Sequence, residues 1–122
     1  MATTILAVDD DPEVRTMLAD LLTKAGYQVI TAADGKEAMA RFSRQPAQVV
    51  VADILMPEQD GLETIQALHR VAPEVPVIAI SGGGRIPGPL YLKTAALFGA
   101  FRTLEKPFPT RALLDAVGAA LA

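Results

Sequence analysis

TILAVDDDPEVRTMLADLLTKAG, Thr4 to Gly26, holds two periodicities separated by three acids. Thr4 to Val8 is an apolar run of strand length, ended abruptly by Asp9, Asp10 and Asp11. From Glu13 to Ala25, Val14, Met17, Leu18, Leu21 and Leu22 recur three and four apart, the core stripe of an amphipathic helix. Asp11 ahead of Pro12 is a start signal, because a carboxylate can cap the first free N–H groups and proline suits the first helical position. Gly26 closes the helix. The stretch predicts a strand, an acidic loop and a helix, in that order.

The same unit recurs along the chain. Tyr27 to Thr31 reads as a second strand, and Asp34 with Glu37 three residues later opens a second helix to about Ser43. Val49 to Ala52 is a third apolar run, ended by Asp53, and Gly61 to Val71 has helical period. Val75 to Ile80 is a fourth strand followed by Ser81, and Phe101 to Glu105 a fifth followed by Lys106. Leu113, Leu114, Val117 and Leu121 form the core stripe of a last helix. SGGGRIPGPLYLKT, Ser81 to Thr94, reads as a long loop before a shortened fourth helix. Parallel strands need crossover helices, so the alternation predicts an α/β fold, a doubly wound parallel sheet with helices on both faces. Strands apolar throughout suit a sheet buried on both sides.

Composition bounds the function. The 122 residues make one ordinary domain, half apolar and a fifth charged, with a formal net charge of −3. Cysteine is absent, which removes disulfide, thiolate-metal and thiol redox chemistry and fits a reducing cytoplasm. The basic residues form no stripe, arguing against nucleic acid. No apolar stretch reaches the roughly 18 residues of a membrane span, and MATTILAVDD lacks the basic start of a signal peptide. The expectation is a single cytoplasmic domain.

In such sheets ligands bind beyond the carboxyl ends of the strands. Asp9 and Asp10 end the first strand, Asp53 the third, Ser81 the fourth, and Lys106 follows the fifth, so all belong to one rim. Read singly, Asp53 is a cap and Lys106 a surface lysine. Together, converging carboxylates repel unless a cation intervenes. A hard divalent cation such as Mg²⁺, which prefers oxygen ligands, is the natural compensator. The only histidine, His69, lies away on a helix and reads as solvated or capping. Acids, Mg²⁺, a lysine and a hydroxyl describe phosphoryl transfer to a carboxylate.

The acids Asp9-Asp10-Asp11 with Pro12, the stretch Asp53-Ile54-Leu55-Met56-Pro57 with Asp60-Gly61, then Ser81, then Lys106-Pro107-Phe108 occur in order over essentially the whole chain. In these the chain resembles the receiver domains of two-component response regulators. The resemblance implies a flavodoxin-like (βα)5 fold with strand order 2-1-3-4-5. It implies that Asp53 accepts a phosphoryl group from a histidine kinase or phosphotransfer protein. Asp10, Asp53 and the backbone carbonyl of Leu55 would ligate Mg²⁺, with Asp9 supporting the metal directly or through water. Lys106 would pair with a phosphoryl oxygen. Ser81, beside Gly82, would be drawn to the modified side chain, and the peptide before Pro107 would be cis. The chain would then be a single-domain regulator, phosphorylating and dephosphorylating without being an enzyme on other substrates. It would act through a downstream target protein or relay, as a monomer or weak dimer.

Departures from the family pattern carry their own expectations. Receivers usually place an aromatic three residues before the lysine, where this chain has Thr103, with Phe101 two residues earlier. The switch is therefore expected to run through the loop at Gly82, Gly83 and Gly84 and the helix after it. Leu55 and Gly83 offer no polar side chain to position a water, which predicts slow loss of the phosphoryl group. Met56 and Pro57 would leave an apolar spot for a partner. Two rivals stand beside this reading. A haloacid-dehalogenase-type phosphatase would use Asp9 and Asp11 as its D-x-D pair, although Glu13 departs from that motif. A degenerate receiver would dock proteins without being phosphorylated.

Overall fold

The structure, a computed structural model, describes residues 3–53, 61–81 and 99–122. These form β1 (Thr4–Val8), α1 (Pro12–Lys24), β2 (Gln28–Ala32), α2 (Gly35–Arg44), β3 (Val49–Asp53), α3 (Gly61–Val71), β4 (Val77–Ser81), β5 (Arg102–Glu105) and α4 (Thr110–Leu121). The five strands are parallel, as the alternation predicts, in the order β2-β1-β3-β4-β5 that the family resemblance implies. The predicted helix between β4 and β5 falls outside the described residues, as do Leu55, Met56, Pro57 and the glycines 82–84.

Alternation along the strands builds the two layers, since successive side chains of a strand point to opposite faces. Ile5, Ala7, Val49, Val51, Ile78 and Ile80 pack on one face with Leu18 and Leu22 of α1 and Leu113 and Val117 of α4. Leu6, Val8, Val50, Ala52, Val77 and Ala79 fill the other, under Ala38 and Phe42 of α2 and Ile65 and Leu68 of α3. The central strands β1 and β3 are buried along their whole length, whereas the edge strands β2 and β5 are half open. Each fully buried Ile, Leu or Val contributes about 1.5–3 kcal/mol of transfer free energy.

The helix starts are chemically specified. The Asp11 side chain accepts from the Glu13 amide at 2.9 Å, and the Asp34 side chain from the Glu37 amide at 2.8 Å. Each cap is worth about 1 kcal/mol. Two members of the predicted core stripes differ from expectation, for Met17 is 45 % exposed and Leu121 38 %. Met17 borders an open groove described below, and Leu121 is the last residue of its helix, where the packing partner runs out.

Among the described residues, two glycines take positive φ, Gly26 at 100° and Gly99 at 102°. Their backbones are nearly alike and their surroundings are not. A Cβ at Gly26 meets nothing, whereas one at Gly99 would stand 2.5 Å from Cε1 of His69. His69 is thus half buried against the approach to β5 rather than solvated. Gly26→Ala is expected to cost about 1 kcal/mol from backbone conformation alone. Gly99→Ala is expected to cost about 3 kcal/mol, because displacement of the imidazole is added. Urea unfolding of both variants checks this, and equal costs would show that the ring moves aside freely.

Candidate functional site

The period of two that builds the core also aims the site. Asp9 follows Ala7 by two positions, Asp53 follows Val51, and Lys106 follows Leu104, and all three predecessors face α1 and α4. Asp53 is the last residue of β3 and pairs with Ile80, so the strand runs one residue beyond the apolar run. Asp9 and Asp53 are both buried, at 0 % and 5 % exposure, while Asp10 is exposed. Carboxylate oxygens of Asp9, Asp10 and Asp53 all lie within 4.8 Å of one another.

Lys106 enters from the far end of the chain. Its ammonium donates to Asp9 Oδ2 at 3.1 Å and to Asp53 Oδ2 at 3.4 Å. The peptide that joins it to Pro107 is cis. Burial pulls the Lys106 pKa down, but the charges of Asp53 and Asp9 and their hydrogen bonds outweigh it, leaving it above the ordinary lysine value. A raised folded value means the contribution to stability is fully present at neutral pH and is lost only as pH climbs through that value. Three carboxylates against one ammonium still leave the site formally negative, and this excess is what a cation would neutralise.

The loop after β1 is tied down at several points. The Asp9 amide donates to the Ala32 carbonyl at 3.1 Å, and Asp9 Oδ1 accepts from the Asp11 amide at 2.9 Å. From α1, Arg15 Nη1 donates to the Asp9 carbonyl at 2.8 Å. Arg15 was not marked by sequence, since a basic residue in the first turns of a helix usually reads as solvated. Its spacing from the acids was the one available signal.

The donor set fits a hard divalent cation. It is oxygen only, and the described residues offer no cluster with His or Cys. Oxygens sharing one Mg²⁺ stand at most about 4.2 Å apart, comparable with the spacing of these acids.

The remaining expected site residues are less fully placed. Ser81 is the last residue of β4, paired with Glu105, and its hydroxyl lies outside the described structure. Leu55 and Gly82 lie outside the described residues altogether. Thr103 is half buried beside Ala79 in the β4–β5 ladder. Phe101 precedes β5 and is 45 % exposed, with the Arg102 guanidinium 5.6 Å from its ring centroid. No described helix is long and apolar enough to cross a membrane.

Residues 5–118 match the family model of the response regulator receiver domain. The chain is 41 % identical over 119 residues to the C4-dicarboxylate transport transcriptional regulatory protein DctD of Pseudomonas aeruginosa, covering 98 % of this chain and 25 % of that protein. It is 37 % identical over 110 residues to the nitrogen assimilation regulatory protein NtrX of Azorhizobium caulinodans, covering 88 % of this chain and 24 % of that one. The chain therefore spans about a quarter of the length of these relatives. Among solved structures, the receiver domain of NtrX from Brucella abortus superposes with a TM-score of 0.89 at 32 % identity, covering 96 % of this chain and 97 % of that one. The chemotaxis protein CheY4 of Vibrio cholerae gives a TM-score of 0.87 at 30 % identity, covering 98 % and 99 %.

Proposed function

Because this chain belongs to the response regulator receiver domain family, we propose that residues 1–122 form a receiver whose Asp53 is the phosphoacceptor of a two-component or phosphorelay pathway. One observation carries the reading: Asp9, Asp10 and Asp53 converge at one rim of the sheet, with Lys106 bridging two of them. A carboxylate oxygen of Asp53 attacks phosphorus, the bond from phosphorus to the donor's imidazole nitrogen breaks, and an acyl phosphate forms on Asp53. Asp10, Asp53 and the Leu55 carbonyl are the proposed ligands of Mg²⁺, with Asp9 supporting from its buried position. Bound there, Mg²⁺ supplies positive charge to the phosphoryl oxygens. Lys106 pairs with one phosphoryl oxygen, and Ser81, beside Gly82, donates to another. The added charge, close to two units, biases the contacts the domain makes with a downstream protein.

The test is intact mass after incubation with acetyl phosphate, with and without Mg²⁺. A gain of one phosphoryl group that requires Mg²⁺ is expected. No gain, together with no binding of beryllofluoride, would favour a receiver that docks proteins without being phosphorylated.

A groove of about 450 Å³ adjoins the site, walled by Val14, Met17 and Leu21 of α1 and by Lys106, Pro107 and Phe108. Lys106 belongs to both groove and acid site, so a helix of the phosphodonor seated there presents its phosphohistidine at Asp53. Met17→Glu is expected to slow transfer from a histidine kinase that phosphorylates the wild-type chain about tenfold, by placing a charge in an apolar contact. Phosphorylation by acetyl phosphate should keep its rate. Equal slowing with both donors would remove the groove from the donor's path.

A further inference from the structure

We infer that Arg15 is a positioning residue for the metal-binding acids, acting on Asp10 through the Asp9–Asp10 peptide. The inference rests on the proposal that Asp9, Asp10 and Asp53 hold Mg²⁺. Asp9 is held on every side: its amide by Ala32, one carboxylate oxygen by the Asp11 amide, the other by Lys106. Asp10 is exposed, and none of the hydrogen bonds or ion pairs among the described residues engages its carboxylate. What sets its direction is the backbone that carries it.

A peptide unit is planar, so the Asp9 carbonyl and the Asp10 amide and Cα belong to one rigid plate. Arg15 Nη1 holds the carbonyl end of that plate at 2.8 Å, a charge-assisted bond. The guanidinium is in turn carried by α1, which is capped by Asp11 and locked to the sheet through Leu18 and Leu22. The plate is therefore referenced to the core, and Asp10 starts from a fixed direction toward the other two acids. Without Arg15 the plate stays joined to the Val8–Asp9 unit, whose amide Ala32 holds, but it is free to rotate about the Asp9 Cα–C bond, and Mg²⁺ binding must order Asp10.

Charge alone makes the opposite forecast. Arg15 is a cation close to a cation site, so deleting it should tighten Mg²⁺ binding if its field were all that mattered. The sign of the change therefore separates the two roles.

The experiment is calorimetric titration of Mg²⁺ into the wild-type chain and the Asp10→Asn, Arg15→Ala and Arg15→Lys variants, with thermal melts of each metal-free protein. Alanine and lysine are both good helix formers, so α1 should persist in either variant. Arg15→Ala is expected to weaken Mg²⁺ about tenfold, the scale on which groups that orient ligands act, with the metal-free Tm little changed. Arg15→Lys is expected to recover most of that loss, since an ammonium can still donate to the carbonyl. Unchanged or tighter binding in Arg15→Ala would overturn the inference, as would a weakening that the lysine leaves uncorrected. A lowered metal-free Tm with Kd unaltered would reduce Arg15 to a structural contact. If wild type took up no Mg²⁺, or Asp10→Asn bound it as well as wild type, the proposed acid site itself would fail and this inference with it.

Discussion

Asp53→Asn is expected to abolish phosphoryl uptake from acetyl phosphate and Mg²⁺, and to make the metal-free fold more stable. Asparagine keeps the shape of the side chain but removes the nucleophilic carboxylate, so no acyl phosphate can form. The stability gain follows from the charges. Asp53 sits among acids whose oxygens are within 4.8 Å, and at that range unit charges repel by a few kcal/mol at an effective dielectric of about 20. Against this stands the lost bond to Lys106, but that ammonium keeps its shorter bond to Asp9. The balance predicts a gain of about 1 kcal/mol in urea unfolding without metal. Intact mass supplies the chemical readout. Uptake that survives in Asp53→Asn but vanishes in Asp9→Asn would instead support the dehalogenase-type phosphatase.

Lys106→Met is expected to produce two large effects that respond differently to Mg²⁺. Taking the ammonium away leaves the buried carboxylates of Asp9 and Asp53 without the cation between them. Breaking a buried pair typically costs about 3–5 kcal/mol, and since the Lys106 side chain is 26 % exposed a loss near 2 kcal/mol is expected at neutral pH without metal. Saturating Mg²⁺ should narrow that deficit, because a site with one internal cation fewer binds the external one more tightly and binding stabilises the fold. Phosphoryl uptake should not recover with it. A fixed charge facing the transferring oxygens is lost, and a fall of about a hundredfold in rate is expected. Unfolding in EDTA and in Mg²⁺, beside a rate measurement, tests both. A deficit that Mg²⁺ fails to narrow would mean that Lys106 does not compete with a metal for these acids.

Period carried most of the fold. The contrast between TILAV and the spacing of Leu18 and Leu22 separates strand from helix without further help. Hydrophobicity reads side chains rather than ladders, however, and so it misplaces ends. Val49 to Ala52 is the apolar run, yet β3 continues through Asp53, whose backbone pairs with Ile80. Val75 and Pro76 look like strand, but the β4 ladder begins at Val77. Met17 fits the helical stripe, and a stripe does not tell whether a partner covers it. The acids were legible because they end apolar runs, which is where doubly wound sheets gather ligands. Their separate roles came from family resemblance. The bond from Arg15 to the Asp9 carbonyl is marked in sequence only by the spacing of the two residues, which does not tell where a flexible side chain lands.

Lys106 and Asp9 stand 97 positions apart in the chain, Lys106 and Asp53 only 53. On a ribosome the acids are made first, and β1, β2 and β3 are available to pair before β5 exists. The acids that follow β1 and end β3 are therefore in place in the chain well before the lysine that bridges two of them. The two bonds of Lys106 thus tie the end of the chain to its beginning, and the charge balance of the rim is completed only when β5 takes its place beside β4.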